Sequence, residues 1–321
     1  MRTPRLLSCA VVTVLALSAC TSGTSGEPGA GPSGGMAGGG TETAEPSGTP
    51  VPAELTTGDY RAELGKARGP IRDALKKLNA TGGKGLDRRL RQTVATMEDA
   101  VTGLETLTPP SEVKLEHDDY VSTLRRFLSA LSAAQEDVRA QDVCTGPAVL
   151  TGVREVGQLS HLRRSAAALA DRGDYRTDVI PVKVTGERSR RLPNGRYIRS
   201  EGRPGRAYLE LKNGNGRDAV VVLVRGKKKA VRVYIRRKST FKVRGVRDGS
   251  YKVYYTLGTD WDSRVGGFTR SCSFEQFGRS VRFKTVYTAT QIRWSNWTIT
   301  LNAVVGGTVS PRHLKPGDFP G

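Results

Sequence analysis

Apolar positions recur every three or four residues over the first half of the chain and every second residue over most of the second half. Four stripes lie between Glu54 and Arg172. Tyr60, Leu64, Ala67, Ile71, Leu75 and Leu78 make the first, and Leu86, Leu90, Val94, Met97, Val101 and Leu104 the second. His117, Val121, Leu124, Leu128, Leu131 and Val138 make the third, and Val149, Val153, Val156, Leu159, Leu162, Ala166 and Leu169 the fourth. Such spacing lines one face of a helix. The stretches between the stripes, "NATGGKG", "LTPPSE" and "CTGP", carry the glycines and prolines that stop helices. Four helices with short connections predict an antiparallel helical bundle over 54–172.

From about Arg206 the period becomes two. "AVRVYIRR" alternates Val231, Val233 and Ile235 with Arg232, Tyr234 and Arg236. "YKVYYTLG" places Tyr251, Val253 and Tyr255 on one face, and "WSNWTITLNAVV" does the same with Trp297, Ile299, Leu301 and Ala303. Turn signals separate the runs: Asn213-Gly214-Asn215-Gly216, which reads as a tight hairpin, and Asp248-Gly249. Seven or eight short strands predict an antiparallel β-sandwich over 206–321. The expected fold class is α+β, with 173–205 as an extended basic linker between two domains.

The amino terminus has a different pattern. Arg2 and Arg5 precede a short apolar run that ends in small residues and Cys20. This is the form of a secretory signal, predicted over 1–19, and the run is too short to span a bilayer. Residues 20–53 are rich in Gly, Ser, Thr and Pro and predict a flexible tether with a reach of about 30–35 Å. Past the signal and Cys20, two cysteines remain, Cys144 and Cys272. Outside the cytoplasm a disulfide between them and two separately buried thiols fit equally well.

Charge is unevenly shared. The chain has 51 Lys+Arg and 31 Asp+Glu, a net charge of +20. From Asp174 onward there are 31 basic and 11 acidic residues, so the whole excess lies in the second half. Such asymmetry predicts a surface facing anionic material, phospholipid or wall polymer, or else ordinary solvation. Candidate anion-binding residues are Lys227, Lys228 and Lys229 at a hairpin tip and Arg236, Arg237 and Lys238, expected to extend one basic edge. Tyrosines alternate with the arginines as a buried face alternates with a wet one, so nucleic acid is not the expected partner.

No catalytic constellation emerges. There is no G-x-S-x-G elbow, since the pattern occurs only as Gly31 to Gly35 within the Gly/Ser-rich tether; H-E-x-x-H, a Walker loop and C-x-x-C are missing, and no cofactor or metal is expected. His117 sits on an apolar stripe with no second ligand at i+3 or i+4, which predicts a hydrogen-bonded core histidine. Asp260-Trp261-Asp262, after Gly258, reads as a structural corner. Trp261 is expected to close the core, and the aspartates to bind turn amides or arginines.

Three resemblances add to this reading. "LSAC", Leu17 to Cys20, resembles the lipobox of bacterial lipoproteins, which implies lipidation of Cys20 and anchoring on the extracytoplasmic face of the cell membrane. "LTPPSEVKLEHDDYVSTL" resembles small helical bundles of exported lipoproteins from high-GC Gram-positive bacteria. Asp248 to Asp262, with "VYIR" before it and "WTITLNAVVGG" after it, resembles an uncharacterised bacterial domain with the pattern DGxYxxYYxxGxDWD, which implies a sandwich without assigned catalytic residues. The expected function is a membrane-anchored, non-enzymatic binding or scaffolding module for an anionic envelope surface or a partner protein. The alternative is an enzyme, or its accessory subunit, acting on envelope polymers.

Overall fold

The computed structural model describes residues 53–301 and 311–321. The expected signal, Cys20 and the tether as far as residue 52 lie outside these residues, as does the last expected strand beyond Leu301. Pro52–Gly321 forms one compact unit of mixed α+β structure.

Five helices are described where four were expected. α1 (Thr57–Asn79) packs on α2 (Leu86–Glu105), and α2 on α3 (Lys114–Arg139). The fourth stripe is broken into α4 (Gly146–Glu155) and α5 (Gln158–Asp171) by Gly157, whose φ of 80° lies in the left-handed region that glycine enters freely. The three-or-four spacing continues across the break, so the stripe alone did not reveal it, but Val156, expected on the apolar face, is 63% exposed at the end of α4. A single 3-10 turn, Ser111–Val113, leads into α3. His117 is buried, and its Nδ1 lies 2.9 Å from the Tyr60 hydroxyl.

The strands are β1 (Tyr197–Ser200), β2 (Ala207–Asn213), β3 (Asp218–Arg225), β4 (Lys228–Ile235), β5 (Ser239–Val246), β6 (Gly249–Asp262), β7 (Gly267–Gln276), β8 (Val281–Phe283), β9 (Thr285–Tyr287), β10 (Ile292–Trp294), β11 (Trp297–Thr300) and β12 (Arg312–His313). The largest sheet runs β1-β4-β3-β6-β7-β12, with β8 paired to the start of β6. A second sheet is β11-β2-β5, and β9 and β10 pair only with each other. Every pair is antiparallel except β11 with β2, which is parallel. Leu209 and Leu211 of β2, Val243 of β5 and Ile299 of β11 share one core with Val221, Val233, Tyr251, Val253 and Tyr255 of the largest sheet.

β2 and β3 were expected to pair across the Asn-Gly stretch, but they lie in different sheets. Asn213 accounts for this. Its buried side chain donates to the carbonyls of Arg217 (2.9 Å) and Arg236 (3.2 Å) and accepts from the Asn215 amide (3.1 Å), which holds a crossover rather than a hairpin. β3, "DAVVVLVR", has a nearly continuous apolar run because both its faces are covered. Its second face meets another core made of Tyr234, Trp261, Phe268, Cys272, Phe274, Leu314, Phe319 and Cys144.

Segment 173–205 is not a free linker. Tyr175 and Val179 are buried in the helical core, Leu192 and Ile198 pack on the far core of the sheet, and 197–200 is strand β1. Its alternating valines and isoleucines had partners on both sides, which composition could not show. The helices and the sheet also touch directly. The Cys144 amide donates to the Thr269 carbonyl at 2.9 Å, and a disulfide joins Cys144 to Cys272 with 6.4 Å between their Cα atoms.

Candidate functional site

The Asp-Trp-Asp stretch is the outer end of β6 and not a corner. The chain turns later, at Ser263–Gly266. Pairing between β6 and β7 shifts register between Leu257 and Thr259. Gly258 lies in that shift, where an added Cβ would come within 2.4 Å of the Phe268 Cβ. Asp260 then takes a φ of 56°, which short polar side chains tolerate better than most. The bulge puts Trp261 into the core beside Tyr234 and Phe268 and buries both flanking aspartates.

Two consecutive arginines of the 173–205 segment hold buried acids here, Arg190 the two of this stretch and Arg191 the nearby Asp218. The Arg190 guanidinium donates to Asp260 from Nε (2.8 Å) and Nη2 (2.7 Å), and its amide donates as well (2.8 Å). Its Nη1 reaches Asp262 at 3.1 Å. The Arg264 amide closes on Asp262 at 2.9 Å, and the Thr269 hydroxyl on Asp260 at 2.8 Å. Arg191 makes a bidentate pair with Asp218 at 2.6 and 2.7 Å; Asp218 also accepts from the Tyr234 hydroxyl and the Arg237 amide. Burial pushes the three carboxyls up, but these hydrogen bonds and charges more than offset it and hold each below the usual carboxylate range. In the cavity of about 90 Å³ beside Asp260 and Asp262, the lining carboxylates Glu187, Asp260 and Asp262 are all paired with arginines. The arrangement is an ion-pair clasp, with no free carboxylate poised for acid–base work. Arg190 and Arg191 were not singled out from the sequence; the adjacent pair just before "LPNG" was the available signal.

The six candidate anion-binding residues separate into two groups. Lys227 and Lys228 are exposed at the β3–β4 turn, which Gly226 permits with a φ of 59°. Arg237 and Lys238 are exposed at the opposite end of β4, about 25 Å away at ~3.3 Å per residue, so no single basic edge forms. Arg236 is half-buried and donates to the Leu192 carbonyl at 2.9 Å. Lys229 is half-buried too, and its ammonium reaches the backbone oxygen of Gly321.

Lys229 borders a cleft between the helices and the largest sheet. The cleft, about 190 Å³, is lined by Gly82, Gly83 and Lys84 from the α1–α2 loop and by Arg232, Gly266, Phe268 and both disulfide cysteines. Arg232 lies over the Trp261 ring at 5.4 Å and donates from Nη2 to the Gly266 carbonyl at 2.6 Å. Its Nε is buried and has no hydrogen-bond partner among the described residues. Arg199 stands directly opposite it in the β1–β4 register.

No family model matches this chain, and no curated protein or solved structure is significantly similar to it. Its site must therefore be read from its own side chains. Among the described residues no group of His, Cys, Asp and Glu is arranged to hold a metal ion.

A second feature was not anticipated. Tyr287, Val286, Ile292 and Trp294 on the β9–β10 hairpin are all exposed, Tyr287 at 69% and Trp294 at 44%. Ile292 stands opposite Tyr287 and Trp294 opposite Thr285, so Tyr287, Ile292 and Trp294 share one face. The base of the hairpin is pinned by Ser295, whose hydroxyl accepts from the Lys284 amide at 2.9 Å, and by Asp248, which accepts from the Thr285 amide at 2.7 Å. Arg282, Lys284 and Arg293 are exposed in or beside it.

Proposed function

We propose that this chain is an extracytoplasmic lipoprotein, anchored through Cys20, whose folded body binds anionic phospholipid headgroups without catalysing a reaction. The helices are read as a bundle and the two larger sheets as a sandwich, together forming the scaffold. The observation that carries the proposal is the β9–β10 hairpin. It offers a tyrosine, a tryptophan and an isoleucine on one exposed face, with cations beside them. Aromatic rings of this kind settle at the headgroup level, and each nearby Lys or Arg adds about 1 kcal/mol on an anionic leaflet. A tether of 20–53 reaching about 30–35 Å from a lipidated Cys20 leaves the body within range of the bilayer.

The test is vesicle co-sedimentation with the full chain carrying Cys20→Ala, so that the anchor cannot contribute. Phosphatidylglycerol vesicles should retain the protein at low ionic strength and release it with salt. Phosphatidylcholine vesicles should not retain it, and Ile292→Ala with Trp294→Ala should abolish retention. Equal binding to both vesicle types, or no effect of the double substitution, would sink the proposal. A single-stranded oligonucleotide that bound in a Trp294-dependent way while vesicles did not would assign the exposed rings to base stacking instead.

A further inference from the structure

The cleft between the helices and the largest sheet gathers cations: Lys84 and Arg232 line it, and Lys229 at its edge meets the backbone oxygen of Gly321, which also lines it. Arg232 projects from β4 into the core of aromatic rings, where it meets the face of Trp261 and one carbonyl oxygen. Among the described residues no side-chain carboxylate offsets it, and burial alone pulls its guanidinium below the ordinary value. Its Nε is orphaned inside the protein. The surrounding charges add to the imbalance. Lys229 is lowered first by burial and then by Arg232, Arg199 and Lys84, all cations. Arg199 faces Arg232 across the β1–β4 pair, where like charges repel.

This contrasts with the clasp described above. There, three buried aspartates each receive an arginine with good geometry, so this fold does pair its buried charges where no vacancy is needed. A half-buried guanidinium that meets no side-chain anion among the described residues costs free energy unless a ligand supplies one. The remaining donors of Arg232 and the ammonium of Lys84, with Lys229 at the edge, suit an oxyanion that accepts several hydrogen bonds at once. A volume of about 190 Å³ equals roughly six waters at ~30 Å³ each, enough for a phosphate group and a short organic stub.

We infer that the cleft between Arg232, Lys229 and Lys84 is a binding site for a phosphate-type oxyanion, either a soluble phosphate ester or the headgroup phosphate of a lipid. The site is separate from the β9–β10 hairpin and does not rest on the membrane-surface reading.

Calorimetric titration of the full chain with orthophosphate and with glycerol phosphate, at low ionic strength, tests the site. Saturable one-to-one binding is expected, with a rise in melting temperature. Lys229→Met and Arg232→Met should each weaken binding about tenfold, as loss of one charge-assisted bond does. If Arg232→Met fails to fold, Lys84→Ala, on an exposed loop residue, should still weaken binding in a normally folded protein. No saturable binding by the wild type, or unchanged affinity in both the Lys84 and Lys229 variants, overturns the inference. Phosphatidylglycerol vesicles distinguish the source. If soluble glycerol phosphate competes them off wild-type protein, the headgroup occupies the cleft. If it does not compete but still binds, the ligand is soluble. The Ile292/Trp294 double variant should bind glycerol phosphate normally, so failure of the membrane proposal and failure of this one give different results.

Discussion

Arg190 is the residue on which the Asp-Trp-Asp end of β6 depends. Each aspartate has other donors, but among the described residues Arg190 is the only guanidinium that touches both Asp260 and Asp262. Replacing it with methionine leaves two buried carboxylates in one bulge with less to offset their burial. Arg190→Met should cost about 3–5 kcal/mol by denaturant unfolding, as breaking a buried pair does. Asp260→Asn should cost less, because Arg190 is about a third exposed and keeps Asp262. The acid response follows from the lowered carboxyls. An unfolded aspartate takes up its proton near the ordinary 3.8, before the folded one does. The clasp therefore stabilises the fold above that value and is lost as pH falls toward and through the lowered ones. In Arg190→Met burial dominates, so acid unfolding should begin at higher pH. An unchanged acid midpoint would show that the clasp does not couple to folding.

At the scale of elements, apolar period identified helices and strands well and their partners poorly. The alternation in β6 placed Tyr251, Val253 and Tyr255 on one face, and all three are buried together. It could not show that β6 runs on through Asp262, because a bulge and a turn both begin with a glycine followed by polar residues. Gly258 shows the difference. A turn glycine is chosen for positive φ, whereas this one is needed because Phe268 lies against it. Gly258→Ala should destabilise the protein by about 1–3 kcal/mol through overpacking, measured as a lower denaturant midpoint. A neutral effect would mean that β7 shifts freely at that point. The same limit applies to β2 and β3. Asn-Gly permits a hairpin, but the hydrogen bonds of Asn213 to Arg217 and Arg236 direct the chain to the other sheet.

For the whole molecule, the join between helices and sheet matters most. The Cys144–Cys272 disulfide spans 128 residues of sequence and ties the start of α4 to β7. Both cysteines also line the cationic cleft. Cys144→Ser with Cys272→Ser should cost about 2–4 kcal/mol by reversible unfolding, chiefly by freeing the unfolded chain. Limited proteolysis should then cut first in segment 173–205, where the strap crosses from the helical core to the sheet. A double variant as stable and as resistant as the parent would show that the packed strap and the Cys144–Thr269 backbone bond suffice.

The sequence alone determined what depends on local pattern. Stripes three or four apart made helices, alternation made strands, and the charge split put the basic excess in the second half. It also predicted that the Asp-Trp-Asp acids would find amides or arginines, and that His117 would be a bonded core residue. Tertiary structure decided what depends on distant partners. It joined Arg190 to Asp260 across 70 residues, packed the expected linker as a strap and set the two groups of candidate cations at opposite ends of β4. It also left the buried Nε of Arg232 without a partner among the described residues and placed Tyr287, Ile292 and Trp294 in the open. The reason is physical. Helix and strand periods arise from each residue's own backbone geometry, whereas burial and charge pairing are set by which surfaces meet after the chain has closed on itself.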